Sequence, residues 1–447
     1  MVKRTGHSPL RGDANAVSDR RRFLESAGLL TMAAALPWSS SRAEEPATEK
    51  LYFGFLGPFT GPATGTGQDM RQGTMMALDD ARAEGEIPVK VDGRRFEIEP
   101  VWIDSQSDPA TARAAVAEAF SHYPIAMMVG GWHTAVALEV MDLEADYGIV
   151  HINLSSAQSI ADKINRDPEK YRFWFKGWPS PAKLTPLYRD PLKHFRQQGL
   201  WQPASLKMAI AVEDTPWGYS WGEAMQSTFR EMGFDPLPMD SMMLDQTDFY
   251  GLLERYRREE VSLVAFTNSG NLAASSFVRQ FREVGVEAVL VAETLRGSSD
   301  WYALSGEASN YTIAMDAAMP IALWQRWWVR RYQERFGHFP NISAAGLQYD
   351  YTRMAIRVLN AAGSLNQEKL ISTLYRTPHR GIWHLYRFAR EPGPHAVSAN
   401  EVMTGRFMEG FFFPMVQLFS GESKIIWPLK YADQRFQAPP WVEPAAE

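Results

Sequence analysis

A chain of 447 residues without one cysteine forms no disulfide, no thiol nucleophile, no cysteine-ligated zinc site and no lipidated N-terminal cysteine. Its formal net charge is −6, and the first 43 residues carry +4, which leaves an acidic body of −10 that argues against nucleic acid as a partner. With 45% hydrophobic and 22% charged residues a core can form throughout, and the length allows two or three domains.

Arg20-Arg21-Arg22-Phe23-Leu24 precedes an apolar stretch from Ala27 to Leu36, and Ser41-Arg42-Ala43 offers small residues at positions −3 and −1 of a cut. A basic region, a short apolar region and such a site define a secretory signal. The arginine pair followed by Phe-Leu resembles the twin-arginine motif, from which Asp19 and Glu25 depart. About 10 apolar residues cannot span a bilayer that needs roughly 20. Residues 1–43 therefore read as a cleaved twin-arginine-like signal peptide, and the mature protein is expected to be soluble and periplasmic.

Leu51 to Leu56 is an apolar run of strand length, followed by a turn rich in Gly, Pro and Thr from Gly57 to Gly67. Met70, Gly73, Thr74, Ala77, Leu78 and Ala81 then recur on one helical face. Strand, glycine-bearing loop and helix in that order make the first half of a βαβ unit. In open α/β sheets, ligands sit at the carboxyl ends of such strands. Phe96 to Asp104 reads as the second strand, and Asp108-Pro109 as the capped start of a helix. Ile125 to Val129, wholly apolar, is a strand covered on both faces. It ends in Gly130-Gly131-Trp132-His133-Thr134, and a helix follows to Tyr147. Ile149 to Asn153 is a fourth strand, ending in Leu154-Ser155-Ser156-Ala157. The alternation predicts a doubly wound parallel sheet. The loops 130–134 and 154–157 place hydroxyls and free N–H groups where a carboxylate or polar head group would suit.

The pattern then repeats. Strands are expected at Lys207–Val212, Ser241–Leu244, Val261–Phe266 and Ala288–Ala292, with helices ending near Met232, Arg258 and Val284. Their loops carry Glu213 to Gly218, Thr267 to Gly270, and Glu293-Thr294. Periodicity breaks at Trp174–Pro181 and Tyr311–Pro320, which read as crossings between two lobes. Trp324, Trp327 and Trp328 lie on a helical stretch with Arg326, Arg330 and Arg331, a packed helix with a basic solvent face. Ile382–Arg390 and Gly405–Leu418 look strand-rich, and the Pro-rich tail is expected to be loose.

Rival motifs are weaker. Gly218-Tyr219-Ser220-Trp221-Gly222 matches the G-x-S-x-G elbow of hydrolases, but the preceding strand ends near Val212 and Asp214 to Trp217 intervene, so Ser220 should lie in the first turns of a helix. Gly65-Thr66-Gly67 begins like a dinucleotide fingerprint, yet the third glycine, Gly73, is misplaced. The nine histidines show no metal pair at helical spacing. No cofactor, metal or catalytic residue is expected.

An ordered set of pieces resembles periplasmic solute-binding proteins of the branched-chain amino acid and amide family, which serve ABC importers. The pieces are Thr60-Gly61-Pro62 with Gly67-Gln68, Asp104 to Pro109 with Ala112, Val129-Gly130-Gly131, Ile149 to Asn153, Asp214 to Gly218, and Phe277 to Gln280 with Val284-Gly285. They cover residues 50–300 in order, and the Gly337 to Pro340 turn with the helix from Ala344 to Ala361 still fits. The resemblance implies two α/β lobes of doubly wound parallel sheet, joined by a three-crossover hinge in the type I manner. It implies an N-terminal lobe of residues 51–175 and 316–383, a C-terminal lobe of 176–315 and 384–440, and a loose tail from 441. A small-molecule ligand would bind between the lobes, closure would trap it, and an inner-membrane ABC permease would be the partner of a monomer.

Carried over by position, Thr134 matches a hydroxyl that binds a ligand carboxylate, and Ser155 and Ser156 match the next such loop. Trp217 stands where the family has a closing Tyr, Thr267 and Asn268 match a second-lobe contact, and Thr66 stands where an aromatic residue is common. Glu293 or its neighbour Thr294 falls where an acid binds the ligand ammonium, and the chemistry favours Glu293. Two departures, Ala157 for a hydroxyl and Trp217 for Tyr, weaken the case for a simple aliphatic amino acid and open that for a larger or flatter, aromatic solute. The alternatives are a periplasmic sensor or accessory protein of the same fold without a permease and, remotely, a serine hydrolase using Ser220.

Overall fold

In the computed structural model, which describes residues 48–442, the apolar run Leu51–Leu56 forms the inner part of β1 (Thr48–Gly57). The export signal expected over residues 1–43 lies outside the described residues, as do residues 443–447. After β1 come α1 (Thr64–Ala83), β2 (Val89–Val91), β3 (Arg94–Asp104), α2 (Pro109–His122), β4 (Ile125–Gly130), α3 (Thr134–Tyr147), β5 (His151–Asn153), α4 (Gln158–Arg166) and β6 (Trp174–Lys176). The strands form one sheet in the order β2-β3-β1-β4-β5-β6, parallel except where β2 meets β3. All six residues of β4 are buried. One face of this sheet packs Phe53 and Phe55 with Met70 and Leu78 of α1, and the other packs Leu56 and Met128 with Val116 of α2 and Val140 of α3. Asp108 caps α2, its carboxylate accepting from the Thr111 N–H at 2.7 Å.

The chain then builds α5 (Pro181–Leu184), α6 (Arg189–Gln197), β7 (Lys207–Glu213), α7 (Pro216–Arg230), β8 (Asp235–Pro236), β9 (Asp240–Met242), α8 (Tyr250–Arg258), β10 (Leu263–Thr267), α9 (Asn271–Val284), β11 (Val289–Ala292), α10 (Trp301–Ser305) and β12 (Ile313–Met315). Helices α11 (Leu323–Phe336), α12 (Leu347–Ala362) and α13 (Gln367–Arg376), with β13 (His379–Arg380) and β14 (Leu385–Tyr386), follow. Strands β15 (Met415–Phe419) and β16 (Glu422–Trp427) then complete a second sheet in the order β16-β15-β12-β11-β10-β7-β8, with β9 also on β7. Its centre, β7, β10, β11 and β12, is parallel. Helix α12 returns to the first sheet and lies along α1, against which the preceding turn closes tightly. A Cβ at Gly73 would lie 2.1 Å from the Ala345 carbonyl oxygen. On α11, Trp328 is fully buried and meets Trp383 edge-on at 5.3 Å, whereas Trp324 and Trp327 are exposed.

Two expectations about the C-terminal part need correction. The segment from 384, expected with the second lobe, first runs along the first sheet. Phe388 packs edge-on against Phe175 at 4.9 Å, and the Asn400 side-chain amide donates to the Tyr171 and Trp174 carbonyls at 3.1 and 3.0 Å. Only with β15 does the chain join the second sheet. Of the tail expected to be loose from 441, the two described residues are held. Trp441 donates to the Ala288 carbonyl at 3.1 Å, the Arg282 guanidinium lies 3.2 Å from its ring centroid, and Val442 is buried.

The passage after β6 is held by a buried ion pair. Lys176 Nζ lies 3.5 Å from Glu401 Oε1, and both side chains are fully buried. Lys176 also donates to the Trp178 carbonyl at 3.0 Å and to Ser180 Oγ at 2.6 Å. Glu401 accepts from the N–H groups of Ser180 and Val397 at 2.6 and 3.1 Å. Burial brings Lys176 down to about 8.

Candidate functional site

The carboxyl ends of β4, β5, β7 and β11 surround a cavity with about 750 Å³ of unfilled space, part of it open to solvent. The first lobe contributes Trp132, His133 and Thr134 after β4, and Leu154 and Ser156 after β5. The passage after β6 contributes Trp178. The second lobe contributes Glu213, Trp217, Ser269, Glu293, Thr294 and Arg296, and the second passage Asp316.

Of the residues expected at the site, Thr134, Ser156, Trp217 and Glu293 line this cavity together. Thr134 Oγ1 donates to the Ser156 carbonyl at 3.0 Å, and Ser156 Oγ to the Pro179 carbonyl at 2.6 Å. The Trp217 ring is fixed by its Nε1, which donates to Thr267 Oγ1 at 3.0 Å. Thr267 therefore stands one layer back and orients the indole. Ser155 is also behind the wall, donating to the His133 carbonyl at 3.2 Å. Asn268 is buried and shapes its own loop. Its N–H meets Thr294 Oγ1 at 2.8 Å, and its side chain joins the Met243 carbonyl at 3.0 Å and the Gly270 N–H at 2.8 Å.

Thr66 sits elsewhere, in a clasp between the lobes. Its hydroxyl donates to the Gly297 carbonyl and accepts from Asn271 Nδ2 at 3.2 Å. Around it, the Gly65 N–H donates to Asn271 Oδ1 at 3.1 Å, and the Ser299 N–H to Asp69 Oδ2 at 2.9 Å. Asp69 is raised to about 7, chiefly by burial. These bonds tie the start of α1 to the second lobe.

Charge in the cavity is uneven. Arg296 is ion-paired with Asp316, and burial lowers the guanidinium to about 10. Glu213 accepts from the Ser269 N–H and hydroxyl and from Thr215 Oγ1 at 2.6 Å, and burial raises it. Glu293 accepts from the Tyr188 hydroxyl, which itself accepts from the Met315 N–H at 2.8 Å. Burial raises Glu293 to about 7. Burial also lowers His133 to about 4, so it is neutral near pH 7.

Sequence reasoning missed Trp132, Trp178, Glu213, Arg296 and Asp316 as cavity residues. Trp132 and Glu213 adjoin residues that were singled out, so their loop positions were the available signal. Trp178 and Asp316 lie in the two segments read as crossings, which was their only signal, and Arg296 carries no periodic or motif signal. Ser220 lies in α7, its Oγ accepting from the Gln158 N–H at 2.8 Å, so it is not on a strand-to-helix elbow. Among the described residues no cluster of metal-ligating side chains is present.

A family model described as periplasmic binding protein matches residues 50–406. The Leu/Ile/Val-binding protein BraC3 of Rhizobium johnstonii is 21% identical over 280 residues, covering 60% of this chain and 68% of that protein. The crystal structure of a leucine binding protein from Thermotoga maritima superposes with a TM-score of 0.68 at 15% identity, over 84% of this chain and 97% of that one. A solute binding protein of an ABC transporter from R. palustris, in complex with benzoate, gives a TM-score of 0.68 at 15% identity, over 87% and 98%.

Proposed function

The chain belongs to the periplasmic binding protein family, and from that premise we propose that it is the receptor of an ABC importer, capturing a small polar organic solute between its lobes. Its two parallel-sheet lobes have the type I architecture of the family. The observation that carries the reading is the cavity at the carboxyl ends of both sheets, walled by Thr134 and Ser156 from one lobe and Trp217 and Glu293 from the other. A solute there touches both lobes at once, so it favours the closed form, as hinge closure requires. The relatives are solute-binding proteins, and the chain's role is binding rather than catalysis. It acts in the periplasm as a monomer, delivering cargo to an inner-membrane permease. Among the described residues no helix is long and apolar enough to cross a membrane.

A thermal-shift panel on residues 44–447 tests this reading, with amino acids, amides, urea, aromatic acids, amines and small alcohols. A binder at 100 times its Kd adds about 2.7 kcal/mol to folded-state stability, a plainly raised melting temperature. No shift across the panel would contradict the receptor role and favour a sensor or accessory protein.

A further inference from the structure

Three tryptophans share the cavity. Trp132 follows β4, Trp178 lies in the passage after β6, and Trp217 opens α7. Each is half-buried, packed against the core on one side and bordering the cavity on the other. Trp178 is held edge-on by Phe411 and Phe413 at 5.7 and 5.5 Å, and Trp217 by its bond to Thr267. Three indoles bordering one space give a single guest a large aromatic surface to meet.

The charged groups around that space favour one kind of guest. Arg296 is the one basic side chain besides the neutral His133 among the described cavity residues, and Asp316 neutralises it. Among the described residues Glu213 and Glu293 have no basic partner; hydroxyl and amide donors hold them. Burial raises both carboxyls, as it does where a counter-cation is missing. Glu213 is closed off by its three donors, whereas Glu293 keeps accessible surface in the cavity. The hydroxyls that would grip a carboxylate are already donating to backbone carbonyls: Thr134 to Ser156 and Ser156 to Pro179. Ala157 supplies none.

Resting on the receptor reading above, we propose that the solute is a small organic cation, an amine or methylated ammonium, whose charged group lies against the Trp132, Trp178 and Trp217 faces beside Glu293. Aromatic faces attract such cations more strongly when water is excluded, and a carboxylate at the rim completes the neutralisation. The Arg296–Asp316 pair and the amides at the start of α3 remain for the solute's polar end.

Calorimetric titration of residues 44–447 separates the possibilities. The probes are choline, trimethylamine, putrescine and phenethylamine, with 3,3-dimethyl-1-butanol as the uncharged counterpart of choline, and leucine and benzoate as controls. The expected result is that at least one cation binds, and that the uncharged counterpart of the best methylated cation binds about a hundredfold more weakly or not at all. Glu293→Gln, with unchanged circular dichroism, should weaken the cation at least tenfold and leave any uncharged probe unaffected. Leucine or benzoate binding while every cation fails would overturn the cation assignment and leave the receptor reading standing. Equal binding of choline and its uncharged counterpart would also overturn it. Failure of all seven probes, together with a silent thermal-shift panel, would overturn both.

Discussion

Replacing Glu401 with alanine is expected to cost about 3–5 kcal/mol of folding stability, the usual penalty for leaving one half of a buried ion pair alone. Lys176 is fully buried, so its ammonium cannot reach water when the carboxylate is gone. The variant also strips an acceptor from the Ser180 and Val397 N–H groups. Both losses fall on the passage between the lobes. There the Lys176 N–H donates to the Asn400 carbonyl and the Val402 N–H to the Lys176 carbonyl, each at 2.8 Å. Because Trp178 follows two residues later, the cavity wall should loosen with the hinge. Urea denaturation measures the change. Pairing Lys176→Met with Glu401→Leu should recover much of the loss, since an apolar pair of similar volume replaces the charges without stranding either. A loss below about 1 kcal/mol in the single variant would mean that Lys176 is solvated or neutral, within the range of an ordinary exposed pair.

Trp217→Ala is expected to weaken solute binding by about 2 kcal/mol or more, roughly thirtyfold. The indole is the largest side chain that the second lobe places on the cavity, and its hydrogen bond to Thr267 fixes its orientation. Removing it opens the second-lobe wall and leaves Thr267 Oγ1 facing the void. Trp217→Phe retains most of the apolar area but loses the tether, so an intermediate loss is expected. Thr267→Val should resemble Trp217→Phe, because both break the same bond. Titration of the variants with a solute found by thermal shift gives these values. Unchanged affinity in Trp217→Ala would remove the residue from the site.

Much of the fold could be read from apolar periodicity. The wholly apolar run in β4, the Asp108 cap and the face containing Met70 and Leu78 each announced an element through a local pattern. Strand β2 was not legible because Val89-Lys90-Val91 is too short to show alternation and owes its place to β3. The return of residues 384–404 to the first sheet was hidden for another reason. It rests on isolated bridges, such as Lys176 with Glu401, which no local sequence pattern encodes.

The site divides along the same line. Thr134, Ser156, Trp217 and Glu293 were legible because they lie at or just beyond strand ends, where a parallel sheet puts its loops. Ser155, Thr267 and Asn268 share those loops but turn inward, a choice made by hydrogen bonds that loop position alone does not reveal. Thr66 does not line the cavity but bonds the Gly297 carbonyl, an approach of α1 to a loop far along the chain that no local pattern encodes. Arg296 and Asp316 find each other across two segments of irregular chain.

The most direct test of a closing cleft is hydrogen exchange of residues 44–447 with and without the solute that gives the largest thermal shift. Closure on a solute between the lobes predicts slowed exchange in both walls together, at residues 130–134 and 154–157 of the first lobe and 213–218 and 293–297 of the second. The amides of Gly65 and Ser299 in the clasp should slow as well, since they bond across the lobes. Protection confined to one lobe, or to a surface away from these loops, would contradict capture in the cleft.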